Sequence, residues 1–308
     1  MPKLPILRDN CRMSKTDPTY TRQSPAFDHD VASYDAMINW PKRLANETPF
    51  YRELFASVDA KRVLDVACGP GRHAAMFRNW GLRVEGADVS SEMLAYARAL
   101  HGEPEGLRWV ERSFFDATKP PGAFDVAICV GNSLGTLDTP ADISRVLRAM
   151  VQSVRPGGVI VAQMLNLLRF PEGTMTWQKC VRKRDEQGDR ILLKGIRRHG
   201  CVGTVDLVEV RLTEDGANLS PRDSRLIGVG AAEMRSAATQ AAAGRIELFG
   251  DYQREPFNAG KSVDLILVAG RDRRMDGDER GLPKKPRMDA DEHRLHWEEQ
   301  GFRPEGAR

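Results

Sequence analysis

The chain has 308 residues, of which 41% are hydrophobic and 29% charged, with a formal net charge of +3. That is enough apolar material for one large α/β domain or for a domain with an inserted lobe, and too little net charge to favour nucleic acid as a partner. No apolar run approaches the roughly 20 residues that cross a bilayer, and Cys11, Cys68, Cys129, Cys180 and Cys201 are scattered, indicating neither a metal site nor a disulfide framework.

In chain order, residues 1–24 mix Pro, Ser, Thr and charge without periodicity and predict a segment without fixed structure. They lack an apolar stretch followed by a small-residue cleavage site, so a cytoplasmic protein is expected. The main core is expected over residues 25–169. Within it Arg62–Ala67 reads as a buried strand, followed by a glycine turn and a helix near Arg72–Trp80. Leu82–Asp88 is the next strand, and Ser90 or Ser91 caps the helix after it, with Glu92 in its first turn. Leu107–Arg112 and Phe124–Val130 are further strands. A helix over Ile143–Val154 stops at Arg155-Pro156-Gly157-Gly158, and Gly158–Leu165 is the fifth strand. This alternation predicts an α/β fold with a parallel sheet between two helical layers.

The pattern changes after Phe170. Residues 174–213 read as three antiparallel strands with basic outward positions, turning at Gly188 and Gly200. Residues 170–227 are therefore expected to form a small antiparallel insertion that closes over the substrate. Residues 228–270, with a helix at Ala231–Ala243 and strands at Arg245–Phe249 and Ser262–Ala269, complete the core. From Arg271 to Arg308 more than half of the positions are charged, with acids and bases in equal number. Such a tail cannot bury enough apolar area to offset the entropy of ordering it.

The chemistry gathers where the first strand meets the first helix, at Asp65-Val-Ala-Cys-Gly69-Pro-Gly71. Gly69 and Gly71 let the backbone turn tightly and approach a ligand. Asp88 ends the second strand, a helix and a strand beyond the glycine turn, where a carboxylate can accept both ribose hydroxyls of an adenosine. NAD enzymes share such a glycine turn. Asp65, just before that turn, separates the readings: it would repel a pyrophosphate and attract an ammonium group or a sulfonium centre. The combination points to S-adenosylmethionine. Met93 can lay its thioether on an adenine face, Asp116 can accept from the adenine amino group, and Val130-Gly131-Asn132 follows the fourth strand at the edge where open α/β sheets bind ligands.

These residues resemble the class I S-adenosylmethionine-dependent methyltransferases. Within that superfamily RVLDVACGPG, FDVAICVGNSLGTL and MVQSVRPGGVIV are most similar to the glycine and sarcosine N-methyltransferases, over roughly Ser33–Asn166 and more loosely over Phe249–Gly270. The resemblance implies a Rossmann-like fold with a seven-stranded, mostly parallel sheet. It also implies that Arg43, upstream of Asp65 in the register that group uses, holds the methionyl carboxylate with Tyr34 or Trp40 nearby, and that Ala67, Val89 and Phe115 join the cofactor contacts.

One departure bears on the substrate. Glycine methyltransferases carry Arg-Asn-Tyr after the fifth strand, and the arginine grips the substrate carboxylate; this chain has Leu165-Asn166-Leu167. Leucine cannot form that bidentate pair, which argues against glycine and leaves Arg169 as a candidate replacement. Asn132 and Asn166 are the candidate polar substrate contacts. The expected activity is methyl transfer to a small molecule, an amine among the candidates, with no metal. An amine acceptor requires no strong base, whereas a hydroxyl would; His73 and His199 are candidates that nothing in the sequence singles out. Three rival readings are an RNA or protein methyltransferase docking through Lys179–Arg184 with Arg197 and Arg198, an NAD-dependent oxidoreductase, and a cofactor-binding protein without catalysis. The basic run also reads as the solvated face of a hairpin. An oligomer is compatible with all of these.

Overall fold

The computed structural model describes residues 31–185, 188–213 and 216–272, apart from the side chains of Ser33, Tyr34, Ala36, Lys183, Asp185 and Thr213. The expectations for residues 1–24, for residues 273–308 of the charged tail and for the ring of Tyr34 lie outside the described residues.

Two helices, α1 (Val31–Ala36) and α2 (Trp40–Ser57), precede the sheet. Asn39 caps α2, its side chain accepting from the Lys42 N–H, and Pro41 lies in the first turn, where a missing N–H costs nothing. The alternating units follow as β1 (Arg62–Val66), α3 (Arg72–Asn79), β2 (Arg83–Asp88), α4 (Ser91–His101), β3 (Leu107–Glu111), β4 (Phe124–Cys129), α5 (Pro140–Ser153) and β5 (Val154–Leu165). Ser90 Oγ accepts from the Met93 N–H at 3.1 Å and so caps α4.

The expected Pro-Gly loop before the fifth strand is not a loop. β5 begins at Val154, and its register against β4 shifts between Phe124 and Val126, so residues 155–158 bulge from within the strand. Gly157 lies at φ 79°, and a side chain on Gly158 would meet the Asp125 carbonyl.

After β5 come four antiparallel strands, β6 (Thr176–Asp185), β7 (Gly188–His199), β8 (Val202–Thr213) and β9 (Gly216–Ile227). β9, GANLSPRDSRLI, is the strand that sequence patterning missed. It is polar and carries Pro221, which an edge strand tolerates because one side of its ladder is unpaired. The chain then closes with α6 (Ala231–Gln240), β10 (Ile246–Phe249) and β11 (Asp264–Gly270).

The main sheet has the order β10-β11-β5-β4-β1-β2-β3, and only β11 runs against the rest. Alternation along β1 sends Leu64 and Val66 towards the layer holding α5 and α6, and Val63 towards Phe50, Tyr51 and Phe77. Asp65 shares the second face with Val63. The small sheet, in order β6-β7-β8-β9, has its own apolar cluster of Leu167, Phe170, Ile196 and Leu226. Leu167 is the plug: side chains on Gly203 or Gly228 would press against it at 3.0 Å or less. Cys68, Cys129 and Cys180 are free thiols.

Candidate functional site

A cavity of about 900 Å³ opens at the carboxyl edge of the main sheet. Trp40 and Arg43 of α2 line it, with Asp65, Ala67 and Gly69 from the end of β1, Asp88, Val89 and Met93 from the β2–α4 junction, and Val130, Gly131 and Asn132 beyond β4. The β6–β9 sheet faces them across the space. The parallel strands converge their ends here because every right-handed crossover returns the chain to the same edge.

Asp65 is 2% exposed. Its Oδ2 has no hydrogen-bond partner, and burial pushes its carboxyl up to about 7, with the Asp88 charge adding to the shift and His73 opposing it. Asp88 is built differently. Its Oδ2 accepts from the Gly69 N–H at 2.8 Å and its Oδ1 from the Ser90 N–H at 3.0 Å. Asp88 therefore clamps the glycine turn to the start of α4.

Arg43 is fixed by its own helix: its Nε donates to Glu47 Oε1 at 2.8 Å, and its guanidinium lies 5.2 Å from the Trp40 ring centroid. Glu47 Oε2 meets His73 Nε2 at 2.7 Å. Burial pushes the Glu47 carboxyl up, yet His73 and Arg43 outweigh it and hold the group below its ordinary value. Glu47 was not anticipated, although its place one turn after Arg43 was a readable signal.

The glycines divide their labour differently from the sequence reading. Gly69, at φ 52°, is the turn residue, with Met93 Sδ 3.9 Å from where a Cβ would stand. Gly71, at φ 74°, does not line the cavity: a Cβ there would lie 2.3 Å from the Trp109 ring. Trp109 on β3 also fills the space above Gly86, so Gly71 serves core packing.

Several of the expected residues lie outside the cavity lining or have their polar groups occupied within the fold. Phe115 packs against Phe114 and under the Arg145 guanidinium, and Phe114 lines the cavity instead. Asp116 is exposed and outside the cavity lining. Asn166 is fully buried; its amide donates to the Ala259 and Ser262 carbonyls, and its oxygen caps Leu168. That leaves it no part in holding a substrate. Asn132 lines the cavity, but its side-chain oxygen accepts from the Leu165 N–H at 2.9 Å. Its backbone N–H and that of Gly131 both donate to Gln163 Oε1, a residue the sequence reading passed over in an otherwise apolar strand. Arg169 lies over the Phe170 ring, outside the cavity lining. His199 is exposed beside Glu172, whereas His73 lines the cavity.

The basic run also resolves into two faces. Arg182 pairs with Asp189 and Arg197 with Asp206, while Lys179 and Lys194 line the cavity. Alternation along the strands separates them, which composition alone cannot show.

A family model described as a methyltransferase domain matches residues 63–158. A ubiquinone biosynthesis O-methyltransferase of Sodalis glossinidius (strain morsitans) is 30% identical over 213 residues, covering 64% of this chain and 83% of that protein. A glycine/sarcosine N-methyltransferase of Halorhodospira halochloris is 29% identical over 164 residues, or 49% of this chain and 59% of the relative. The chain thus spans little more than half the length of the glycine/sarcosine relatives it matches. Among solved structures, the sugar N-methyltransferase KedS8 from Streptoalloteichus sp ATCC 53650 superposes with a TM-score of 0.65 at 19% identity, over 84% of this chain and 99% of that one. That likeness shows the fold.

Proposed function

The chain belongs to the class I S-adenosylmethionine-dependent methyltransferases, and from that premise we propose that it transfers a methyl group to a small-molecule amine within the cavity at the sheet's carboxyl edge. The observation that carries this reading is Asp65, a buried carboxylate with one oxygen unpartnered beside the glycine turn. An ammonium group is the partner that such an oxygen lacks. The other residues fit the same cofactor: Asp88 for the ribose, Met93 and Val89 for the adenine, and Arg43 for the methionyl carboxylate. When bound, S-adenosylmethionine supplies a methyl carbon already activated by its sulfonium.

The chain's own work is then to orient and to exclude water. The β6–β9 sheet acts as the lid, and Trp40 and Phe114 give the cavity its aromatic surface. His73 has its Nε2 committed to Glu47. A neutral amine attacks through its own lone pair and needs no base from the protein, which favours an amine over a hydroxyl acceptor. A cleft roofed by the small sheet suits a small molecule better than a folded protein. No described helix is long and apolar enough to cross a membrane.

Calorimetric titration with S-adenosylmethionine and, separately, with NAD tests the reading. Asp88→Asn is a milder probe than Asp88→Ala, because asparagine keeps an acceptor for one of the Gly69 and Ser90 N–H groups whereas alanine orphans both. Micromolar S-adenosylmethionine binding that weakens at least tenfold in Asp88→Asn, with no NAD binding, supports the proposal. Folded protein that binds NAD alone would put the oxidoreductase in its place. With the cofactor established, transfer of labelled methyl to amines supports the amine reading, and transfer only to phenols would reassign the acceptor to oxygen.

A further inference from the structure

One rung of the lid crosses all four of its strands. Lys179 of β6 pairs with Lys194 of β7, Lys194 with Leu207 of β8, and Leu207 with Arg222 of β9. All four residues line the cavity. Two lysines directly opposite one another in a sheet repel, and such pairs are destabilising. Two rungs further on, Glu209 already pairs with Arg211 and Arg190, and the one lid carboxylate in the cavity lining, Asp223 beside Arg222, is exposed. Among the described residues Lys194 and Arg222 have no hydrogen bond or ion pair, and Lys179 donates only to the Met37 carbonyl, at 3.1 Å. Burial pulls the Lys194 amine down, with Lys179 adding repulsion, and burial does the same to Lys179, with Arg43 adding to it. The roof of the cavity thus carries Lys179, Lys194 and Arg222, the last two half-buried, while the β1 and β2 ends below it hold Asp65 and Asp88. A protein keeps such a local conflict where a ligand resolves it.

We propose that Lys179, Lys194 and Arg222 form a subsite for an anionic group, carboxylate or phosphate, on the methyl acceptor. This assignment rests on the methyl-transfer reading for the identity of the ligand as acceptor, though not for the existence of the anion site. It also accounts for Leu165 on β5: the cations that would hold an acidic acceptor come from the lid. An acceptor carrying an amine and an acid group would be gripped from above by its anion, since Arg112, the basic side chain in the cavity lining at the end of β3, is paired with Glu85. Lysines suit either anion as point charges, and Arg222 adds a planar fork for paired oxygens.

The test uses the full chain saturated with S-adenosylhomocysteine, titrated calorimetrically with inorganic phosphate and with malonate at constant ionic strength. Wild type is compared with Lys194→Met, Arg222→Met and the control Arg235→Gln on α6, outside the cavity. The expected result is saturable binding of at least one anion, weakened tenfold or more in Lys194→Met and Arg222→Met and unchanged in Arg235→Gln. Phosphate binding in preference to malonate assigns a phosphorylated acceptor, and the reverse assigns a carboxylic acid. Anion binding that is not saturable, or that survives both substitutions, overturns the proposal. Removing Lys194 also relieves a like-charge pair, so Lys194→Met should melt at or above the wild-type temperature; a variant that unfolds would overturn the argument from repulsion. Absence of S-adenosylhomocysteine binding in the first step would instead count against the methyltransferase reading, which keeps the two failures distinct.

Discussion

Burying Asp65 with one oxygen unpartnered destabilises the free protein, and the same feature gives a cationic ligand its hold. A carboxyl raised from its ordinary value of 3.8 to about 7 corresponds to a cost on the order of 4 kcal/mol for ionising it inside the fold. Asp65→Asn should therefore raise the thermal midpoint of the ligand-free protein by several degrees. The same substitution should weaken S-adenosylhomocysteine about 10–100-fold, the scale of a hydrogen bond between charged groups. Scanning calorimetry and titration on one preparation read both effects, and unchanged affinity would remove Asp65 from the cofactor site. The pH dependence follows with its sign. Folded protein holds the Asp65 proton more tightly than unfolded protein does, so between about pH 3.8 and 7 this group's contribution to stability falls as pH rises, and its cost is complete above about 7. Ligand affinity moves the other way, tightening up to tenfold per unit as pH climbs towards 7 and then levelling, with proton release below 7. Titrations in buffers of different ionisation enthalpy would detect that release; its absence at pH 6 would show that Asp65 is already ionised in the free protein.

The βα turn depends on two kinds of glycine requirement acting side by side. Gly69 and Gly71 both adopt positive φ, yet only Gly71 also faces a wall, the Trp109 ring. Gly71→Ala combines left-handed strain of roughly 1–2 kcal/mol with overpacking of about 1–3 kcal/mol. Urea denaturation should show the two together, a loss of about 2–5 kcal/mol. Adding Trp109→Leu should recover the overpacking share and leave the strain, so a double variant as unstable as the sum of the single ones would refute the contact. Trp109 also donates from Nε1 to the Gly102 carbonyl, and its own replacement must be measured as the reference. This turn looks like a ligand motif in the sequence, but half of it is core packing.

At the scale of the molecule, the lid and the main sheet meet through a small apolar joint. Leu167, 1% exposed, sits in the notch left by Gly203 and Gly228 at the root of β8 and the end of β9. Leu167→Ala should cost about 2–5 kcal/mol at the joint. The loss should be local: hydrogen exchange should quicken across β7–β9 while β1 and β4, at the centre of the seven-stranded sheet, keep their protection. Equal acceleration in both sheets would mean that they unfold as one unit. Loosening the lid should also lower ligand affinity, since Val205, Leu207 and Leu226 of that sheet line the cavity.

The order of the main elements was legible in the chain alone, because the alternation of apolar runs with amphipathic stretches from Arg62 to Ala269 is a local property. So was the edge where the cavity opens, since Asp65, Gly69 and Asp88, which line it, are tied to strand ends by short, fixed spacings. Local pattern missed β9, whose polar residues and Pro221 carry no strand signal, and it read a loop at Pro156-Gly157 where a strand bulges. Folding was needed to separate Gly71, which makes room for Trp109, from Gly69, and to turn Asn166 from a substrate contact into the anchor of the 258–262 loop. Folding alone brought Lys179, Lys194 and Arg222 onto one rung. Those assignments depend on which residues meet across strands far apart in the chain, and periodicity gives the face of a strand without giving its neighbour.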